Sequence, residues 1–470
     1  MESPEYAWQR PRDEFGALFA CLGPDGSENH LAMTHEHKTG FWTTPDNLPL
    51  RTTLAVFRIC ALAACFTAVF ASGIGLVWGL PSATHIQSYH PDEQNITYSL
   101  RNMNPEKWDF NPRFFGNPTF YTYQVGALAY AARAAGILPR ETGYDYWLSN
   151  PDAVARFYLL GRILSLIYAL GSVALVFAIT SRLTSRDSFG PVVAAIVFLA
   201  LPVTAVHSHY MTVNASSVFW CLAAILFALR IQDSPSWGNY ILAGIFAGFA
   251  ISTKMNNAFL PLGIFAAHLT AKDAGDWRKR LTGPKLWGAA LACITAFAAG
   301  SPYYILSYAG VRTDPHNQMN MTALLDFATP VSVLLLDFWN HLAAACGWVM
   351  GVILIVALPA ALFAGLKRRL VPIAAVVVPF LLVAVKSGWW AFPSRMWPLL
   401  ALLAILAGAV VARVKSRTGV AMAALVLAAG FAGTAVWNVA YFDAMRGAHV
   451  RAQSSAWIEA NIPQGSRIIV

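Results

Sequence analysis

The chain has 470 residues, of which 57% are apolar and only 12% charged, with a net charge of +9. A soluble domain carries about 25% charged residues, so the composition excludes that class. It also excludes a transmembrane barrel, whose strands of about ten residues alternate apolar with polar; the apolar runs here are long enough to cross a hydrocarbon layer of roughly 30 Å as helices.

In chain order, residues 1–50 are polar, contain "MTHEHKTG" and "TTPDNLP", and lack the apolar core and cleavage site of a signal peptide. They are expected to form a flexible cytoplasmic extension, with "THEHK" a solvated tail and not a metal site. Residues 51–440 are expected to form an all-α polytopic membrane domain. About eleven spans are predicted, beginning near residues 54, 156, 189, 214, 237, 257, 286, 331, 371, 397 and 419. Orientation follows from the bias of Lys and Arg toward cytoplasmic loops. With the N-terminus inside, the short inside loops hold Arg182, Arg186, Arg230, Lys272, Arg278, Lys279, Arg280, Lys285, Lys367, Arg368, Arg369, Arg413, Lys415 and Arg417. The short outside loops hold only Lys254, Arg312, Lys386 and Arg395. The C-terminus then lies outside, as does the long loop 81–155.

Within that loop, "PDEQNITYSLRNM" and "NPTFYTYQVGALAYAARAAG" both read as helices, the second suited to the interface plane. The segment 441–470 reads as a helix, a turn at Pro463–Gly465 and the start of a strand, a truncated or minimal outer domain. Five of the six cysteines lie in apolar runs without metal spacing and read as small hydrophobes. No internal repeat of 20–50 residues is present.

The candidate chemistry sits on the outer face. His90, Pro91, Asp92 and Glu93 follow the first apolar run directly. Proline and acids suit the first turn of a helix, which is one complete account of them. The other is that a carboxylate at the rim of an apolar bundle accepts a proton from an incoming hydroxyl or amine; pattern alone leaves both open. Lys254 interrupts the apolar "GFAISTKMNNAFLPLG", where it either snorkels to the interface or faces a cavity. Arg395 stands in "WWAFPSRMWPLL" among residues of an aromatic belt, and guanidinium suits phosphate oxygens. "HSHYMTVNAS" supplies His207, His209, Tyr210 and Asn214 as a polar cavity wall in preference to a metal site.

Taken in order, "HPDEQNITYSLRNM", "FNPRFFGNPTFYTYQVG", "HSHYMTVNAS", "GFAISTKMNNAFLPLG", "SPYYIL" and "PSRMWPLLALLAILAG" resemble the GT-C superfamily. They resemble most closely the bacterial branch of glycosyltransferase family 39, which includes protein O-mannosyltransferases and the lipid A aminoarabinose transferase. The resemblance covers roughly residues 50 to 410. It implies an inverting transferase of the inner membrane that takes a sugar from a polyprenyl-phosphate donor to a lipid, polysaccharide or protein acceptor, without cofactor, metal or nucleic acid. It implies Asp92 as the catalytic base, Glu93 as a neighbouring acceptor-positioning or hydrogen-bonding carboxylate, and Lys254 and Arg395 on the lipid phosphate. His90, Arg113, His207, His209, Tyr210 and Asn214 are the expected substrate-binding residues. Two departures stand out: relatives often carry an acid where this chain has Asn214, and many carry a longer outer domain. A transporter or flippase of an anionic lipid is the alternative, but it calls for inverted repeats and midplane charges that the chain lacks. A lipid-linked ligase or acyltransferase would also use outer-face Arg and His.

Overall fold

A computed structural model describes residues 75–466 except 84, 142, 185–187, 273–280, 316, 320–321, 323–327, 389–390 and 447–449. The expected extension 1–50 and the span near residue 54 lie outside the described residues. Those residues are almost wholly helical, with only two isolated β-bridges, Ser82 to His85 and Asn104 to Asp109. The fold class read from composition is the one observed.

The long loop 81–155 holds α1 (Pro91–Arg101), α2 (Phe120–Ala134) and α3 (Tyr144–Ser149). The bundle follows with α4 (Pro151–Leu183), α5 (Gly190–Ala200), α6 (Pro202–His207), α7 (Val213–Asp233), α8 (Trp237–Thr253), α9 (Leu260–Leu269) and α10 (Pro284–Gly300). After the short α11 (Tyr303–Leu306) and α12 (Tyr308–Thr313) come α13 (Val331–Cys346), α14 (Trp348–Phe363), α15 (Lys367–Lys386), α16 (Pro393–Val411) and α17 (Arg417–Ala444). The last helix is α18 (Val450–Asn461), followed by a turn in which Ser466 N–H donates to the Pro463 carbonyl. Most of the expected strand start falls outside the described residues.

Every predicted span from residue 156 onward coincides with a helix. Among the described residues, five helices are long and apolar enough to cross a membrane: α4, α7, α15, α16 and α17. A sixth is obtained if α13 and α14, bent by 106° at Gly347, are one broken span. The other apolar helices are shortened by the residues that interrupt the runs. Pro202 follows the 11-residue α5, and Ser301–Pro302 follows the 17-residue α10. Between α8 and α9 the chain leaves the α-helix at the extended Lys254 and forms a 3₁₀ turn, Met255–Phe259.

The core is centred on α16, which packs against α5, α14, α4 and α7 and is buried along most of its length. Trp397 is fully buried there and donates its indole N–H to Thr204 Oγ1 at 2.9 Å. The closest helix pair is α8 with α10. Gly244 and Gly248 lie against the carbonyls of Ala289 and Cys293, and a Cβ at either would run into them. This close approach through small residues is the usual way membrane helices pack when no hydrophobic drive separates protein from lipid.

Candidate active site

The ends of several helices bring the charged residues together. Pro91 sets the first turn of α1, and His90 caps it by accepting the Asp92 N–H on Nδ1 at 3.2 Å. Adjacent residues on a helix point about 100° apart, so the two carboxylates diverge. Asp92 is exposed. Glu93 belongs to the buried stripe Glu93, Ile96 and Ser99.

Glu93 and Arg162 of α4 form an ion pair at 2.8 Å, and both side chains are 0% exposed. Arg162 Nε and Nη2 each donate to a Glu93 oxygen at 2.8 Å. Nη1 donates to the carbonyls of Leu76 and Trp78 at 2.8 and 2.7 Å, and to that of Gly75 at 3.2 Å. Ser88 Oγ and the Met211 N–H complete the carboxylate's partners. Charges this deep are tolerated only when paired and fully hydrogen-bonded, as here. Of the two roles expected for Glu93, acceptor-positioning or hydrogen-bonding, its contacts are of the second kind: its oxygens bind the start of α1 to α4 and to the 208–212 loop. Arg162 was missed. Its signal was available, because an arginine inside the apolar run "FYLLGRILSLIYALG" demands a buried partner.

Around Asp92 stand two cations. Lys254 caps the end of α8, is 7% exposed, and donates to Asn214 Oδ1 at 2.6 Å and to the Ser394 carbonyl at 3.1 Å. Burial pulls its ammonium down to about 7; the charge of Arg395 adds to the effect and that of Asp92 opposes it. Arg395, in the first turn of α16, is half-buried and also lies in the field of Asp92. Its carbonyl accepts from Asn256 Nδ2 at 2.6 Å, which fixes the turn after Lys254 against the start of α16.

The polar wall closes the other side. Asn214 Nδ2 contacts His207 Nδ1 at 3.3 Å and Thr212 Oγ1 at 3.0 Å. The His90 ring lies 4.3 Å from that of Tyr210 and 6.0 Å from that of His207. Burial lowers the His90 imidazole below its ordinary value, opposed by Asp92 and Glu93 and assisted by Arg162. Burial likewise drives His207 well down and His209 to about 3, so both are neutral near pH 7. The Tyr210 hydroxyl meets that of Tyr441 at 2.8 Å, and Tyr441 lies 3.4 Å from His209 Nε2. Sequence reading missed Tyr441 because a tyrosine near the end of a span resembles an interfacial anchor.

His90, Asp92, His207, His209, Tyr210, Asn214, Lys254 and Arg395 thus fall in one linked cluster. Arg113 does not join it: its guanidinium is committed to Asp109 Oδ2 at 2.5 Å and to the Asn102 and Asn111 carbonyls. That bond holds the Asp109 carboxyl below its ordinary value, and the left-handed φ of 52° at Arg113 shows a loop folded around the pair. Among the described residues no group of three His, Cys, Asp or Glu side chains could hold a metal ion.

A family model described as dolichyl-phosphate-mannose-protein mannosyltransferase matches residues 159–303. That stretch includes His207, His209, Tyr210, Asn214 and Lys254, but neither Asp92 nor Arg395. The lipopolysaccharide core galacturonosyltransferase RgtB of Rhizobium johnstonii is 30% identical over 115 residues, 23% of this chain and 23% of that protein. The aligned part therefore spans less than a quarter of that curated relative. Among solved structures, ArnT from Cupriavidus metallidurans bound to undecaprenyl phosphate superposes with a TM-score of 0.52 at 16% identity, over 86% of this chain and 74% of that one. The Archaeoglobus fulgidus oligosaccharyltransferase in its apo form gives a TM-score of 0.51 at 14% identity, over 86% and 58% respectively. The chain has the GT-C fold of membrane glycosyltransferases.

Proposed function

We propose that this protein transfers a sugar from a polyprenyl-phosphate donor to an acceptor on the outer face of a bacterial inner membrane. The observation that carries the reading is the juxtaposition of one exposed carboxylate, Asp92, with the buried Lys254 and the half-buried Arg395. In the reaction the acceptor oxygen attacks the anomeric carbon and the bond from that carbon to the phosphate oxygen breaks, inverting the centre. The acceptor's proton passes to Asp92 as general base. The bonding pair leaves with the polyprenyl phosphate, whose charge Lys254 and Arg395 neutralise in a site where few waters compete. Asn214, His207 and Tyr210 offer neutral hydrogen-bonding groups to the sugar.

Two likenesses support the donor class: the matching family is described as using a dolichyl-phosphate sugar, and the similar ArnT structure holds undecaprenyl phosphate. The N-terminus is cytoplasmic in this reading, and the acceptor is a glycan, lipid or protein. The test supplies membranes containing the protein with a panel of undecaprenyl-phosphate sugars, and mass spectrometry identifies the acceptor that gains a sugar. Absence of any sugar-dependent product across the panel overturns the reading.

A further inference from the structure

The last long helix, α17, is the least buried of those long enough to cross a membrane. Beside the buried Gly430 and Thr434, polar bonds attach its outer end. Asn438 Nδ2 donates to the Ala200 carbonyl at 2.9 Å, and one turn later Tyr441 reaches Tyr210 and His209. A hydroxyl projecting from a lipid-facing helix into a polar cluster is held there for what it touches, since the helix needs no such bond to stay in the membrane.

What it touches is the node of the candidate site. The Tyr210 ring packs against His90 at 4.3 Å and His209 at 4.4 Å, and the Arg162 guanidinium carbon lies 5.3 Å from its centroid. His90 in turn accepts the backbone N–H of Asp92. The tilt of the Tyr210 ring therefore sets where the His90 imidazole rests, and with it the first turn that presents Asp92. Two groups fix that tilt from opposite ends: Arg162 at the ring face and Tyr441 at the hydroxyl. Arg162 is fully engaged by Glu93 and three carbonyls, whereas Tyr441 reaches the ring from the last long helix.

We propose that Tyr441 is a positioning residue that holds His90 and Asp92 in their working orientation through Tyr210. It rests on the transferase reading for its consequence on turnover, but not for its effect on the His90 ring. The neutral His209 beside it accepts or donates one hydrogen bond, so the Tyr441 hydroxyl contacts both members of the adjacent His209–Tyr210 pair. The titratable and charged groups facing His90 are Asp92, Glu93, Arg162, His207, His209 and Tyr210, and Tyr441→Phe removes none of them.

The experiment compares wild type with Tyr441→Phe in nanodiscs, using ¹⁵N-histidine labelling with the His90 signal assigned by His90→Gln. Loss of one neutral hydrogen bond should lower turnover about three- to tenfold, leave undecaprenyl phosphate binding unchanged, and shift the His90 ring signal and its titration midpoint. Tyr210→Phe cuts the same bond from the other side and should reproduce the shift, with the double variant no worse than either. Wild-type turnover, or an unmoved His90 signal in both phenylalanine variants, overturns the proposal. A protein that shows the His90 shift yet transfers no sugar from any donor tells against the transferase reading instead.

Discussion

Glu93 and Arg162 form a doubly hydrogen-bonded ion pair with neither side chain exposed, one residue away from the exposed Asp92. Removing one partner of such a pair strands the other charge in the interior, at a cost of about 3–5 kcal/mol. Glu93→Gln and Arg162→Leu are therefore expected to lower the apparent melting temperature in detergent by several degrees and to reduce the yield of folded protein. The loss should be larger for Arg162→Leu, which also orphans the carbonyls of Gly75, Leu76 and Trp78. Melting curves that match wild type would show that the pair is not holding α1 in place.

Asp92 behaves oppositely in this account. Its side chain is exposed, and the helix needs only its backbone N–H, which an asparagine retains. Asp92→Asn is expected to melt as wild type does while transfer falls about 10²–10⁴-fold, the usual worth of a general base. The contrast between neighbours is the sharp measurement: one substitution acts on stability and the other on rate. Equal transfer rates in Asp92→Asn and wild type would remove the proposed base.

How much of this was legible depends on how loudly a residue departs from its surroundings. Lys254 and Arg395 were found because a cation in apolar sequence carries a cost that needs a reason. The all-α membrane class followed from composition. The divergence of Asp92 and Glu93 was also encoded, in the stripe Glu93, Ile96 and Ser99, but two adjacent acids read more naturally as a pair than as opposite faces. Arg162 sat inside a predicted span and was passed over, though its partner acid was already in hand. Tyr441 carried no signal, because its meaning depends on a contact to Tyr210 across 231 residues. Predicted spans and observed helices differ in length where α5 and α9 end early, since a turn such as Met255–Phe259 stays apolar enough to extend a hydropathy run.

The depressed ammonium of Lys254 gives donor binding a pH dependence with a definite sign. Burial, with the charge of Arg395, pulls the group down to about 7. A phosphate favours the charged form, so binding above that pH requires uptake of a proton. The affinity for undecaprenyl phosphate should be highest below pH 7 and fall as pH rises toward 9. Lys254→Ala should weaken binding about 10- to 100-fold at pH 6 and flatten the profile. Arg395→Ala should weaken binding too, yet raise the pH at which the decline begins, because Arg395 is one cause of the depression. Isothermal titration in nanodiscs between pH 6 and 9 measures all three, and a wild-type affinity that does not change with pH excludes Lys254 as the proton-linked partner.

The asparagine at 214 offers the most direct control of that lysine. Its Oδ1 accepts from Lys254 Nζ at 2.6 Å, so an aspartate there would put a carboxylate within bonding distance of the ammonium. Opposite charge favours the protonated lysine and should move its titration upward from about 7. The same carboxylate cancels the field that attracts the phosphate. Asn214→Asp is therefore expected to bind undecaprenyl phosphate about tenfold more weakly at pH 6, roughly the worth of one charge interaction, while the decline with pH shifts to higher values. The two effects have opposite signs near pH 8, where wild-type Lys254 is largely neutral and the variant's is still charged, so the affinities should converge there. A variant that binds as tightly as wild type at pH 6, with an unshifted profile, would mean that the phosphate does not rest on Lys254.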